Sequence, residues 1–293
     1  MESNDPIAPG LYLVATPIGN LGDITLRALE TLRAVDRIAC EDTRQTQKLL
    51  THFQLAPPTV SLHQHNEHQR AAELIGALKA GGRIAVVSDA GMPGISDPGA
   101  WLTAEAIAAG VPVIPIPGAN AALSALVASG LPTGEFQFIG FLPEKAGARR
   151  TRLEALAAEG GASARTLIFY EAPHRILDTL GDLESVWGSD LRVVVARELT
   201  KMHEEFLRAT VAEARRDLTS RDRVRGEITL LVGRAEEPPH GVPAVTQKNA
   251  RTRVRELIKT EKIDEKEAMK RVAKEMGVSK SDVYRELQKD GKK

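Results

Sequence analysis

The stretch Ser88–Gly99, SDAGMPGISDPG, decides the fold. Before it, Arg83–Ser88 is a short β-branched run that predicts a buried strand. After it, Ala100–Ala109 predicts a helix. Three glycines and two prolines in twelve residues are more punctuation than a connector needs. Gly91, Gly94 and Gly99 permit positive φ and close backbone approach. Asp89 and Asp97 offer carboxylates to hydroxyls or an amino group, and a connection that merely caps a helix needs only one of them. A loop at the carboxyl end of a strand lies where open α/β sheets bind ligands. It is neither familiar phosphate cradle: no G-x-x-x-x-G-K-[ST] occurs, and no G-x-G-x-x-G follows the first strand. A ligand held by a pyrophosphate is not expected.

Outward from this loop, Leu11–Ala15, Arg37–Cys40, Thr59–Leu62 and Val111–Ile116 also predict strands. Helices are expected between them at Thr25–Ala34, Thr43–Phe53 and Glu67–Ala80. Such β/α alternation predicts a mainly parallel sheet covered on both faces. A second series begins after Pro117-Gly118. Ala119–Ser129 reads as an alanine-rich helix stopped by Gly130. Strands are expected at Phe136–Gly140, Thr166–Tyr170, Leu191–Ala196, Glu205–Ala209 and Glu227–Val232, with helices around Arg149–Ala158, His174–Leu183 and Val211–Leu218. The expected fold class is α/β: a flexible N-terminus over 1–10, one α/β domain over 11–120 and a second over 121–235. A proline-rich linker over 236–243 then leads to a small basic helical domain over 244–293. There, Asp264 with Glu267 fits a capping box and Gly277 a left-handed stop. Ser279 can cap a helix over Lys280–Lys289, completing a helix-turn-helix pattern.

The 293 residues carry 39 Lys+Arg and 39 Asp+Glu, a balance that by itself argues against a nucleic-acid partner. The distribution argues for one. Residues 244–293 hold 15 basic and 9 acidic side chains, a net of +6, which leaves −6 on the remainder. An acidic body with a basic tail points to a polyanionic partner. No apolar run approaches the roughly 20 residues that cross a bilayer. The first ten residues lack the basic start and apolar stretch of a signal peptide. A single cysteine, Cys40, excludes an internal disulfide and a cysteine-based zinc cluster. A cytoplasmic protein without a membrane partner is expected.

Other strand ends are as polar as the glycine-rich loop. They are Thr16–Asp23 (TPIGNLGD), Glu41–Arg44 (EDTR), Tyr170–Arg175 (YEAPHR) and Ala196–Lys201 (ARELTK). Each sets acids, bases or hydroxyls where a sheet opens. Ion pairing among Glu171, Arg175, Arg197 and Glu198 would account for some of them structurally. His63, His65 and His68, with Asn66 and Glu67, crowd one helix start. Their spacing does not put all three rings on one helical face, so polar lining of a cleft is expected there and no metal.

Taken in order, TPIGNLGDIT, EDTRQT, HNE, SDAGMPGISDPG, FYEAPHR and ARELTK resemble the 16S rRNA (cytidine-2′-O)-methyltransferases, a family within the tetrapyrrole methylases. The resemblance covers roughly residues 10–233. It implies S-adenosylmethionine as methyl donor, 16S rRNA of the small ribosomal subunit as partner, and a homodimer. It implies two α/β domains with the cofactor in the cleft between them. The implied cofactor contacts are Pro17 in the first turn, Asp89, Gly91, Ile95 and Asp97 in the glycine-rich loop, and Ser124 and Ala125 in the second domain. Tyr170, Leu199 and Thr200 would complete the adenine side.

Methyl transfer to a ribose hydroxyl needs alignment of the oxygen with the methyl–sulfur bond and an acceptor for the hydroxyl proton. A lysine of depressed pKa, Lys201, or the carboxylate of Glu171 is the expected base. Arg44, His65, Arg175 and Arg197 are expected to position phosphates and the target ribose. Two other readings compete. A methyltransferase of the same fold acting at carbon on a porphyrin precursor would have no use for the basic tail. A non-enzymatic helix-turn-helix ligand sensor would not need so many polar strand ends.

Overall fold

The computed structural model describes residues 7–63, 66–233, 254, 257–258 and 263–276. The chain divides into two compact units, 1–236 and 237–293. The first unit holds two five-stranded sheets.

The first sheet comprises β1 (Gly10–Val14), β2 (Arg37–Cys40), β3 (Thr59–Ser61), β4 (Arg83–Val87) and β5 (Val113–Ile116), in the order β3-β2-β4-β1-β5. Every pairing is parallel. Helices α1 (Leu26–Ala34), α2 (Thr43–His52), α3 (Glu67–Lys79) and α4 (Ala100–Ala108) provide the crossovers that parallel pairing requires. They cover both faces. Tyr12, Val14, Leu32 and Ile38 belong to one buried cluster, and Leu11, Ala39, Leu74 and Leu102 to the other. Alternate residues of one strand therefore enter opposite cores, which is why these strands read as unbroken apolar runs. Parallel register puts all five carboxyl ends on one edge.

The second sheet comprises β6 (Phe136–Phe141), β7 (Thr166–Glu171), β8 (Arg192–Arg197), β9 (Glu205–Thr210) and β10 (Ile228–Val232), in the order β6-β7-β10-β8-β9. Only β6–β7 is parallel; β10 runs antiparallel to both β7 and β8, and β9 to β8. The β/α alternation read from sequence therefore does not carry into a parallel sheet here. Residues 198–204 between β8 and β9 are too few for a crossover helix, so they close a hairpin-like connection instead. Helix α5 (Ala121–Ser129) packs on one face through Ala122, Ala125 and Leu126 against Ile168, Val194 and Leu231. Ile18, from the turn after β1, joins the same cluster. The other face is covered by α6 (Ala146–Ala158), α7 (Gly161–Ala164), α8 (Ile176–Trp187) and α9 (Val211–Thr219), with Leu153, Leu180 and Leu218 around Phe169 and Val195. A full capping box between Thr210 and Glu213 starts α9.

In the second unit, α10 (Glu265–Met276) begins where Asp264 Oδ1 accepts the Glu267 N–H at 2.7 Å. Ala268, Met269, Val272 and Ala273 of α10 pack with Val254 and Leu257. The expected linker over 236–243, Gly277, Ser279 and the helix over Lys280–Lys289 lie outside the described residues. Among those described, no helix is long and apolar enough to cross a membrane.

Candidate active site

Because β1 and β4 are neighbours, the turns that follow them run side by side. Thr16 and Gly91 stitch them together. The Thr16 N–H donates to the Gly91 carbonyl at 2.9 Å, and the Gly91 N–H to the Thr16 carbonyl at 3.1 Å. The Thr16 hydroxyl donates to the Ser88 carbonyl at 3.1 Å. Gly91 sits at φ +85°, where a side chain is strained.

At the far end of the loop, Gly99 precedes α4 and has no side chain with which to cap it. Glu67, buried at the start of α3, supplies the acceptor instead. Its Oε1 takes the N–H of Gly99 at 3.0 Å and of Leu102 at 3.2 Å. The acid of the HNE segment is thus a helix cap delivered from a neighbouring helix. Glu67→Ala should leave two buried N–H groups unpaired and cost about 1–3 kcal/mol, read as a lower urea midpoint. Glu67→Gln, which keeps an acceptor, should recover most of it.

A cavity of about 380 Å³ opens beside this loop, with walls from both halves of the unit. Ile18, Asp89, Gly91, Ile95 and Asp97 come from the first sheet's turns, and Asn120 and Ala121 from the start of α5. Phe141, Tyr170, Ala196, Leu199 and Thr229 come from the second sheet. The walls are mainly apolar. Tyr170 meets Phe138 and Phe141 edge-on, at centroid distances of 5.0 and 5.7 Å. Burial raises the pKa of Asp97 to about 6. The charges of Glu41 and Asp89 add to the rise, and a hydrogen bond with Ser88 offsets part of it. Glu41 is raised as well, by burial first and then by Asp89. Carboxyls that repel one another in a half-buried site favour a cationic ligand.

A second cavity of about 450 Å³ adjoins the first and shares Ile18, Asp89, Ala90 and Glu227 with it. It is the more polar of the two, with Thr16, Gln45, Thr46, Lys48, Ser88 and Lys201 in a wall that also holds Pro17, Leu21 and Leu49. Lys201 Nζ donates to Glu198 at 2.8 Å and to Glu227 at 3.1 Å. Burial acts to lower its pKa, but the hydrogen bonds and charges of the two carboxylates together raise it above the ordinary lysine value. The depressed lysine expected from sequence is therefore not found; Lys201 is a fixed cation. Its stem crosses Gly19, where a Cβ would stand 2.5 Å from Lys201 Cγ. Glu198 and Thr200, flanking Leu199 of the first cavity, sit at φ +53° and +65°, a strain that binding and catalytic sites often store.

Glu171 is also misplaced for a base. Its side chain is fully enclosed, accepts from the Ala172 N–H at 2.8 Å and the Thr179 hydroxyl at 2.6 Å, and lies 3.3 Å from Arg175 Nε. Arg175 in turn donates to the carbonyls of Leu142 and Pro143 at 2.8 and 3.1 Å. Arg197 pairs with Glu205 at 2.9 Å and donates to the Arg225 carbonyl at 3.1 Å. Both arginines are spent on internal contacts and are not free for phosphates. Arg44 stays exposed in a two-pronged pair with Asp42, whose pKa its hydrogen bonds bring down to about 2. His65 lies outside the described residues.

Pro17 lines the polar cavity, not the apolar one. Ser124 is exposed on α5 and Ala125 is packed in the core; neither lines either cavity. Thr200 lines neither, and its buried hydroxyl finds no hydrogen-bond partner. His68 packs its ring on Trp101 at 4.3 Å, and among the described residues no cluster of His, Cys, Asp and Glu could hold a metal. Sequence reasoning missed Asn120, Phe141, Thr229, Gln45, Thr46 and Lys48. Gln45 and Thr46 lay inside the EDTRQT stretch without being given a role, and Asn120 carried a local signal: its Oδ1 caps α5 by accepting the Leu123 N–H at 2.9 Å.

Two α/β layers with a glycine-rich loop over an acidic, apolar cavity define a class of methyltransferases: the chain belongs to the tetrapyrrole (corrin/porphyrin) methylases, whose family model matches residues 10–215. Within that class it is 48% identical over 284 residues to the ribosomal RNA small subunit methyltransferase I of Synechocystis sp., covering 96% of this chain and 99% of that one. It is 50% identical over 277 residues to the protein of the same name from Halalkalibacterium halodurans, covering 94% and 93%. Among solved structures, the methyltransferase CobJ superposes with a TM-score of 0.58 at 21% identity, covering 79% of this chain and 97% of that one, a likeness of fold alone.

Proposed function

We propose that this methyltransferase transfers the methyl group of S-adenosylmethionine to the 2′-hydroxyl of a cytidine in 16S rRNA. It does so on the small ribosomal subunit in the cytoplasm, as a homodimer, with the cofactor held between α/β domains over 11–120 and 121–235. The observation that carries this reading is the pair of adjoining cavities, one apolar and acidic, the other polar and bearing lysines, which share Asp89 and Glu227. The apolar cavity suits the cofactor. Its volume lies in the roughly 300–1,000 Å³ range of small-molecule sites. Tyr170 and Leu199 offer an adenine an apolar wall. The Asp97 carboxylate suits a sulfonium or an amino group.

The cofactor, when bound, supplies an electrophilic methyl group. The protein's share is to exclude water, to hold the acceptor hydroxyl in line and to receive its proton. In the polar cavity, Lys48 suits a phosphate, and Gln45 and Thr46 suit ribose hydroxyls. The net +6 of residues 244–293 and the names of the relatives favour RNA over a porphyrin as acceptor. Incubation with labelled S-adenosylmethionine and unmethylated small subunits, followed by mapping of 2′-O-methyl groups, tests the reading. Label that enters a porphyrinogen and no RNA overturns it.

The position of Asp97 adds a pH dependence. A cationic ligand needs this carboxylate ionised, and the ligand-free site takes up a proton near pH 6. Cofactor affinity should therefore fall as pH drops from about 7.5 to about 5, by at most about tenfold per pH unit. Asp97→Asn should bind more weakly at neutral pH and show a flat profile by calorimetry. For ligand-free stability the sign is reversed. Because the folded pKa exceeds the unfolded one, folding favours the neutral acid. Asp97 therefore costs stability above about pH 6, and that cost is relieved as pH falls toward about 4.

A further inference from the structure

We propose that Asp89 is the group that takes the hydroxyl proton during methyl transfer, an assignment that rests on the ribose acceptor proposed above. The proton acceptor must reach both the methyl donor and the acceptor oxygen, so it belongs where the two cavities meet. Among the titratable side chains of the described residues, only Asp89 and Glu227 line both cavities. Glu227 is tied to the Lys201 ammonium at 3.1 Å, so one of its oxygens already accepts a hydrogen bond from a cation. Asp89 is exposed, pairs with no cation among the described residues and accepts only the Asp42 N–H, at 3.3 Å.

The alternatives are placed elsewhere. Lys201 is held protonated between Glu198 and Glu227. Glu171 lines the apolar cavity alone, and both its oxygens already accept hydrogen bonds. Asp97 lines the apolar cavity alone, and Glu41 lines neither.

In the step itself, the acceptor oxygen bonds to the methyl carbon as the carbon–sulfur bond breaks, its electron pair going to sulfur. The hydroxyl proton passes to an Asp89 carboxylate oxygen and from that exposed group to water. Lys201, held protonated by its two carboxylate partners in the same polar cavity, does not compete for the proton.

The test compares wild type, Asp89→Asn and Glu227→Gln on unmethylated small subunits, with single-turnover methyl transfer at saturating cofactor and cofactor Kd by calorimetry read separately. Asparagine keeps an oxygen for the Asp42 N–H, so the fold is spared. In Asp89→Asn the rate should fall at least about 100-fold, the contribution of a positioned base, with Kd within about threefold of wild type. A Kd that rises while the saturated rate is kept makes Asp89 a cofactor ligand and overturns the proposal. So does a large rate loss in Glu227→Gln with none in Asp89→Asn. Failure of wild type to place 2′-O-methyl on RNA overturns the acceptor assignment and this one with it; transfer by wild type and Asp89→Asn alike overturns Asp89 alone.

Discussion

A Gly91→Val variant should remain folded yet lose measurable affinity for S-adenosylmethionine, a weakening of at least about 100-fold once the cavity is filled. The Cβ alone would stand 3.3 Å from Ile18 Cγ2 and 3.7 Å from the Ala119 carbonyl. Ile18 is a wall of both cavities and Gly91 of the first, so valine's two further methyls add bulk at that wall. At φ +85° a β-branched residue also carries a strain of about 1–3 kcal/mol, which lowers the melting temperature without unfolding the chain. Gly94→Ala separates the two effects. It shares the positive φ, +80°, but meets no heavy atom closer than 3.6 Å and lines neither cavity. It should lose stability and keep cofactor affinity. Near-native calorimetric affinity in Gly91→Val would show that the cofactor lies elsewhere.

The first sheet was legible because both its faces are covered. Leu11–Ala15 and Arg83–Ser88 read as continuous apolar runs, and each matches an observed strand to within a residue at either end. The second sheet hid its strand directions. Apolar alternation finds β8, β9 and β10 but cannot say which neighbour each will meet, and here tertiary pairing made three of four contacts antiparallel. The glycine-rich loop announced itself by composition. The polar strand ends announced themselves equally, yet Glu171, Arg175 and Arg197 turned out to be internal ion pairs and carbonyl anchors. Sequence pattern cannot separate the two outcomes, because a buried acid needs a cation and a hydroxyl for the same reason a site does. The sign of the Lys201 shift was hidden for a related reason: one of its partners, Glu227, is 26 residues away in the chain. Glu67 was visible as part of a motif, but its partners Gly99 and Leu102 are 32 and 35 residues away.

Asp182→Ala should be among the most destabilising single changes in the first unit, by about 3–5 kcal/mol. Asp182 lies on α8 with its side chain 7% exposed, and its partner Arg149 on α6 is 5% exposed, with Nε and Oδ2 at 2.7 Å. Its other oxygen accepts from Arg150 at 3.0 Å. Alanine would leave the Arg149 guanidinium buried with only the Glu144 carbonyl, at 3.2 Å, to accept from it. The charge cannot be shed, because arginine stays protonated at any ordinary pH. At about 2–4 °C per kcal/mol for a unit of this size, the melting temperature should fall by about 6–20 °C. The native pair need not itself be a large net stabiliser, since burying two charges offsets most of their attraction. Arg149→Met combined with Asp182→Leu should therefore lie closer to wild type than Asp182→Ala alone. A single variant within about 1 kcal/mol of wild type in urea unfolding would mean that water reaches the arginine, and that the α6–α8 seam is looser than its geometry indicates.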